Sequence, residues 1–177
     1  MAVADPADIG RTMRIDQFQL VSQIATLDLV APSISAQAAV PDDHSIFTGH
    51  FPGHPLMPGV LLTEMMAQTC GFLLLSLNGF SRMPFLAALK DIKFRDFVTP
   101  GTELVCEATR IHEGSGYSVM KAGIRRQPEG KNVCDGTLMF RIVQYPNDQL
   151  HGHMLERATE VGLTTGNGNG TSIEEAL

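Results

Sequence analysis

Between Pro58 and Asn78 the chain runs through residues 60–77 without a proline or a basic side chain. Val60, Leu61, Leu62, Met65, Met66, Ala67 and Cys70 are followed by Phe72, Leu73, Leu74, Leu75 and Leu77. Pro58 suits a helix start, because its missing N–H would find no intrahelical partner there anyway. Asn78-Gly79 suits the stop. A helix apolar on nearly every side must be wrapped by protein or cross a membrane. Glu64, Gln68 and Thr69 interrupt the run and no aromatic belt flanks it, so the expectation is a buried central helix and no membrane span.

The flanking sequence can supply the wrap. Residues 22–30 and 34–40 read as two strands separated by Ala31-Pro32-Ser33. Residues 85–94, 103–111, 117–126 and 133–144 read as four more. They are broken by Thr99-Pro-Gly-Thr, His112-Glu-Gly-Ser-Gly and Gln127-Pro-Glu-Gly-Lys-Asn. Breaks this short favour antiparallel neighbours, since parallel ones need long crossovers. The expected class is α+β, a curled antiparallel sheet around one central helix. Residues 1–12 read as a frayed N-terminus, 14–18 as a short helical turn, and 13–147 as the domain. The extension 148–177 begins with an outer helix at 148–161 and continues into a low-complexity stretch at 164–171.

Hydrophobic residues make up 44% of the chain and charged ones 18%, which is a globular composition. The formal net charge of -6 excludes nucleic acid as the main partner, since a phosphate binder needs a basic face. Cys70, Cys106 and Cys134 are too sparse for a disulfide framework or a zinc ribbon and suit reduced thiols in a cytoplasmic protein. Residues 1–10 carry acids and no apolar stretch, so no signal peptide is expected.

Chemistry concentrates around the helix start. Residues 44–58 are dense in Gly, Pro and His, and the proline frequency predicts neither helix nor long strand there. Glu64 lies on the second turn of the apolar helix with no Lys or Arg within helical reach. Either it is a buried carboxyl with a raised pKa, the mark of a functional group, or it marks the one solvent-facing stripe of the helix. His50, in Gly49-His50-Phe51-Pro52-Gly53, either faces a ligand or caps a turn. The four-residue spacing of His50 and His54 would suit a metal on a helix, but Pro52 and Gly53 break that helix. No metal site is expected at His44, His50 and His54.

The run Gly49-His50-Phe51-Pro52-Gly53-His54-Pro55-Leu56-Met57-Pro58-Gly59-Val60-Leu61-Leu62-Thr63-Glu64-Met65-Met66-Ala67-Gln68 resembles the 3-hydroxyacyl-acyl-carrier-protein dehydratases of bacterial fatty-acid synthesis. It is closer to the branch with a glutamate on the helix than to the dehydratase–isomerase branch, which has an aspartate there. The stretch Ala87-Ala88-Leu89-Lys90-Asp91-Ile92-Lys93-Phe94-Arg95 and then Val98-Thr99-Pro100-Gly101-Thr102 resembles the family's next strand and turn. The resemblance covers residues 45–143.

The resemblance implies a hot-dog fold and a homodimer or trimer of dimers. It implies that His50 is catalytic, with Glu64 of the other subunit as its acidic partner and the Gly59 N–H as donor to the thioester carbonyl. It also puts Phe51, Pro58, Val60 and Gln68 against the substrate. Such chemistry suits these residue types. A neutral imidazole can take the C2 proton, a carboxyl with a raised pKa can protonate the departing C3 hydroxyl, and a helix-start N–H can hold the developing enolate oxygen. No redox step occurs, so no cofactor is expected. The partner implied is an acyl carrier protein. Carrier proteins are acidic, so Arg82, Lys90, Lys93 and Arg95 are docking candidates, the alternative being a solvated strand edge.

The chain departs from the family at residues 13–20, which read Met-Arg-Ile-Asp-Gln-Phe-Gln-Leu where many members carry a Pro-His-Arg-Tyr-Pro-Phe segment. Its tail after Tyr145 is also longer than the family core. Both point to a specialised acyl substrate. Two other functions fit the same fold: a non-catalytic acyl-thioester binding module and a hot-dog thioesterase. A pure binder has no use for both His50 and Glu64, and the His-Phe-Pro-Gly loop fits a dehydratase better than a thioesterase.

Overall fold

The computed structural model describes residues 12–163. Of the frayed N-terminus expected at residues 1–12, Thr12 is described and is corrected: it forms a parallel β-bridge with Ala39. Residues 1–11 and the low-complexity stretch expected at 164–171 lie outside the described residues. The elements, in chain order, begin with a 3-10 turn at Ile15–Gln17, β1 (Gln23–Asp28), β2 (Ser33–Ala39) and α1 (Ile46–Gly49). They continue with α2 (Gly59–Leu77), β3 (Met83–Phe94), β4 (Glu103–Gly114), β5 (Tyr117–Arg126), β6 (Lys131–Val143) and α3 (Asp148–Glu160). The strands form one six-stranded sheet in the order β1-β2-β4-β5-β6-β3, every neighbouring pair antiparallel.

Alternation fixes which face of the sheet meets α2. Ala36 and Ala38 of β2, Leu104, Cys106 and Ala108 of β4, and Met120, Ala122 and Ile124 of β5 are buried at every second position. Many of these inward residues are small, which lets a helix lie close. From α2, Met65, Met66, Leu73 and Leu75 are fully buried against them. The two buried hydroxyls of α2 are satisfied inside the helix: Thr63 Oγ1 donates to Gly59 O at 3.2 Å and Thr69 Oγ1 to Met65 O at 2.8 Å. The helix has the length and apolarity of a membrane span, but it is the core helix of this sheet.

Local chemistry sets the ends. At its C-terminus α2 stops at Asn78, and Gly79 follows at φ +60°, the left-handed conformation that glycine adopts without strain. β1 ends at Asp28, two residues before the expected end. The Asp28 carboxylate accepts the Val30 and Ala31 N–H groups at 2.8 and 2.9 Å and turns the chain. The expectation that residues 44–58 hold no helix is corrected by α1. All the prolines of that segment lie at or after position 52, so Ile46–Gly49 is free to coil. His44 Nδ1 accepts the Ile46 N–H at 3.1 Å, and Phe47 anchors the turn in the core.

Candidate active site

The loop from α1 to α2 is pinned by its own backbone. Phe51 and His54 exchange N–H···O bonds of 3.2 and 2.9 Å across a tight turn, which Gly53 closes at φ +75°. Met57 N–H reaches Val98 O at 2.7 Å and ties the loop to the segment after β3. His50 is held twice by one residue: its carbonyl accepts the Leu56 N–H at 2.8 Å, and its Nδ1 lies 3.1 Å from Leu56 O. A carbonyl can only accept, so Nδ1 carries the proton in this bond. The neutral ring therefore keeps its lone pair on Nε2, where a base needs it. The ring stacks on Phe51 with centroids 4.2 Å apart.

Where the loop enters α2, Leu61 and Leu62 N–H both turn to Pro58 O, at 3.0 and 3.3 Å. The Gly59 and Val60 N–H groups come first and have no intrahelical acceptor. A Cβ on Gly59 would stand 2.9 Å from Phe94 Cε1, so glycine is what lets the Phe94 ring close over the helix start. Pro58 is buried. Val60, at the helix start, is 73% exposed, and Phe51 of the loop is 52% exposed.

Glu64 is half-buried in a pocket of about 260 Å³ between α2, β3 and α3. Burial raises its pKa, and a hydrogen bond from Gln68 opposes part of that rise. Gln68 is the brace. Its Nε2 donates to Glu64 Oε1 at 3.0 Å and to Phe18 O at 2.8 Å, while its Oε1 accepts Leu20 N–H at 3.0 Å. Gln68 lines the pocket, but its amide is committed to Glu64 and to the segment before β1. His50 is not among the residues lining this pocket.

The other expected groups fall in different places. His44 is occupied: with Nδ1 taken by Ile46, its Nε2–H donates to Asp16 Oδ1 at 2.9 Å. His54 is exposed. Among the described residues no three His, Cys, Asp or Glu side chains converge as a metal site. Arg82, Lys90, Lys93 and Arg95 are all exposed, but Arg82 and Arg95 bracket β3 from opposite ends, roughly 40 Å apart at strand rise. Only Lys93 and Arg95 are beside Phe94, the residue over the helix start, and the Arg95 guanidinium is paired with the Asp135 carboxylate. Residues of the pocket that the sequence does not mark include Phe18, Gly71 and, from α3, His153, Met154 and Arg157.

A family model described as a FabA-like domain matches residues 14–137. The chain is 40% identical over 117 residues to the 3-hydroxyacyl-[acyl-carrier-protein] dehydratase FabZ of Streptococcus pyogenes serotype M3, a match that covers 59% of this chain and 83% of the relative. It is 42% identical over 97 residues to the FabZ of Caldicellulosiruptor saccharolyticus, covering 54% of this chain and 68% of that one. Among solved structures, a hypothetical thioesterase with coenzyme A from Streptococcus pneumoniae TIGR4 aligns with a TM-score of 0.57 and 18% identity, covering 71% of this chain and 88% of that one. The conserved protein PA5202 of Pseudomonas aeruginosa aligns with a TM-score of 0.57 and 23% identity, covering 78% and 100%. At those identities the structural neighbours establish the hot-dog fold and nothing further. The sequence matches establish the family: this chain belongs to the FabA-like family, among its FabZ 3-hydroxyacyl-acyl-carrier-protein dehydratases.

Proposed function

We propose that this chain is a hydro-lyase that converts 3-hydroxyacyl thioesters on acyl carrier protein into trans-2-enoyl thioesters, with His50 and Glu64 as its acid–base pair. The observation that carries the assignment of roles is the contrast between the two groups. The neutral imidazole presents a bare Nε2 because Leu56 O holds its other nitrogen, and the carboxyl is raised in pKa by an apolar pocket. His50 Nε2 takes the C2 proton. The electron pair forms the C2–C3 double bond as the C3–O bond breaks, and Glu64 gives its proton to the departing hydroxyl, which leaves as water. The Gly59 N–H, at the positive end of α2, holds the thioester oxygen as charge builds on it.

The site takes its two groups from two chains. His50 does not line the pocket that holds Glu64, which supports this reading. The edge strand β3 offers the surface for a second copy. It is twelve residues long, has no partner on its outer side among the described residues, and carries Phe85, Leu86 and Leu89 exposed. An exposed apolar edge of this length is a template for pairing with another chain. A two-fold axis there would set each α2 beside the other subunit's loop. Lys93, with Arg95, is the docking point for the acidic carrier near the helix start. The three cysteines are free and buried, as suits a cytoplasmic enzyme.

The experiment is to supply 3-hydroxyacyl and trans-2-enoyl thioesters and follow both the enoyl absorbance and free thiol. Reversible interconversion without thiol release is expected. Thiol release without interconversion would make the protein a thioesterase, and neither signal would make it a binding module.

A further inference from the structure

The pocket that begins at Glu64 continues along α2. Glu64, Ala67, Gln68, Gly71, Phe72 and Leu75 recur at three- and four-residue spacing, so they line one helical face. From position 64 to 75 that face runs roughly 16 Å at the helical rise. Beyond Gln68 its α2 lining is apolar. Its ceiling is α3, which contributes His153, Met154 and Arg157 and lies outside the 14–137 match to the family.

α3 is a seated element. Asn147 Oδ1 caps it by accepting Leu150 N–H at 2.8 Å. Ala158, Val161 and Leu163 are buried in the core, and Ile24 N–H donates to Val161 O at 2.8 Å. The Glu160 carboxylate joins Arg157 to Arg14, the latter at 2.8 Å, and these guanidinium groups hold its pKa below the ordinary range. Arg157 is only 7% exposed, and its charge is met by Glu160.

Dehydration takes place at C2 and C3, so the rest of the acyl chain needs a place beyond Glu64. An apolar groove continuous with that carboxyl is where an alkyl chain gains by leaving water. We propose that α3 is the ceiling of the acyl-chain pocket, and that Met154 above and Gly71 on the helix face set the chain length the enzyme accepts. The proposal rests on the dehydratase reading given above. Gly71 matters because a Cβ there would meet nothing within 4 Å: the open space belongs to the pocket.

The test is the ratio of kcat/KM for 3-hydroxydodecanoyl to that for 3-hydroxybutyryl thioester, measured on the full chain and its variants. Met154→Trp should lower the ratio about tenfold or more, because a hydrophobic pocket discriminates on that scale per methylene. Met154→Ala should shift the ratio the other way. Gly71→Ala should lower it by a smaller factor while raising Tm by a few degrees, since alanine is the better helix former and its methyl enters open space. Because Gly71→Ala is not expected to harm folding, it keeps the test sound if the tryptophan variant misfolds. An unchanged ratio in folded Met154 and Gly71 variants of an active enzyme would overturn the proposal and leave the dehydratase reading standing. A wild-type protein that turns over neither substrate would overturn the dehydratase reading and this proposal with it.

Discussion

The two ends of α2 come from one uninterrupted run of sequence and are built for different work. At the N-terminal end, Gly59 and Val60 keep free N–H groups, Val60 is open to solvent, and Glu64 is the single ionisable side chain. Beyond Gln68 the helix contributes packing: Cys70, Leu73 and Leu75 are fully buried and make no polar demand. The proposed chemistry therefore falls in the first two turns, where a helix has unspent backbone donors. The remaining turns hold the sheet together and floor the pocket. Substitutions along one helix should therefore separate into losses of rate and losses of stability.

The largest effect is expected at the proposed acid–base pair. His50→Ala and Glu64→Gln should each cost about 10²–10⁴ in kcat at nearly unchanged Tm. The sign of the pH dependence can be worked out for Glu64. Its folded pKa is raised, so its contribution to stability is full below the ordinary carboxyl range and is lost as pH rises through the raised folded value. Glu64→Gln lacks that loss, so denaturation midpoints measured across this window should show the variant gaining on wild type as pH rises. A variant that instead loses ground to wild type with rising pH would mean that Glu64 is not a desolvated acid.

Leu73→Ala probes the other end. Leu73 is fully buried, and its truncation should cost about 2–5 kcal/mol in stability. The rate per folded molecule should stay near wild type. A loss of kcat on the scale of the His50 variant would erase the distinction between the two ends.

A smaller effect is expected at Gly59→Ala. The added methyl meets the Phe94 ring, whose far end can move, so the N–H is displaced but still present. The cost should be on the order of tenfold in kcat, below the 10²–10³ typical of a deleted oxyanion donor. Unchanged kcat in Gly59→Ala would show that the Phe94 ring alone yields to the methyl and leaves the N–H in place.

The same division explains what could be read in the sequence. The apolar run of α2, the alternation of the strands and the punctuation between them are local signals, and the sheet and central helix follow them closely. β5 occupies Tyr117–Arg126 as expected, and α2 starts beside Pro58. Glu64 is the lone acid of an apolar helix and His50 sits among glycines and a proline, which leaves their roles open. It is the resemblance of residues 49–68 to the dehydratases that singles them out as the acid–base candidates. Long-range contacts left no such mark. Gln68 is locked by Phe18 and Leu20, about fifty positions away, and no periodicity reports that. α3 is legible as a helix, but its place over the Glu64 pocket depends on Glu160 and Val161 finding Arg14 and Ile24 near the other end of the domain. The short α1 is masked by the high proline content of residues 44–58 taken as a whole, because Pro52, Pro55 and Pro58 all follow it.

The central claim is that each catalytic site joins His50 of one chain to Glu64 of another, and mixing two inactive proteins tests it most directly. His50→Ala and Glu64→Gln, combined in equal amounts under conditions that exchange subunits, re-pair at random, and about half the dimers are mixed. Each mixed dimer holds one site with both residues intact, so roughly a quarter of wild-type activity should return. Activity that stays at the level of the separate variants, with exchange confirmed by a tagged subunit, would place His50 and Glu64 in one chain and contradict the shared site.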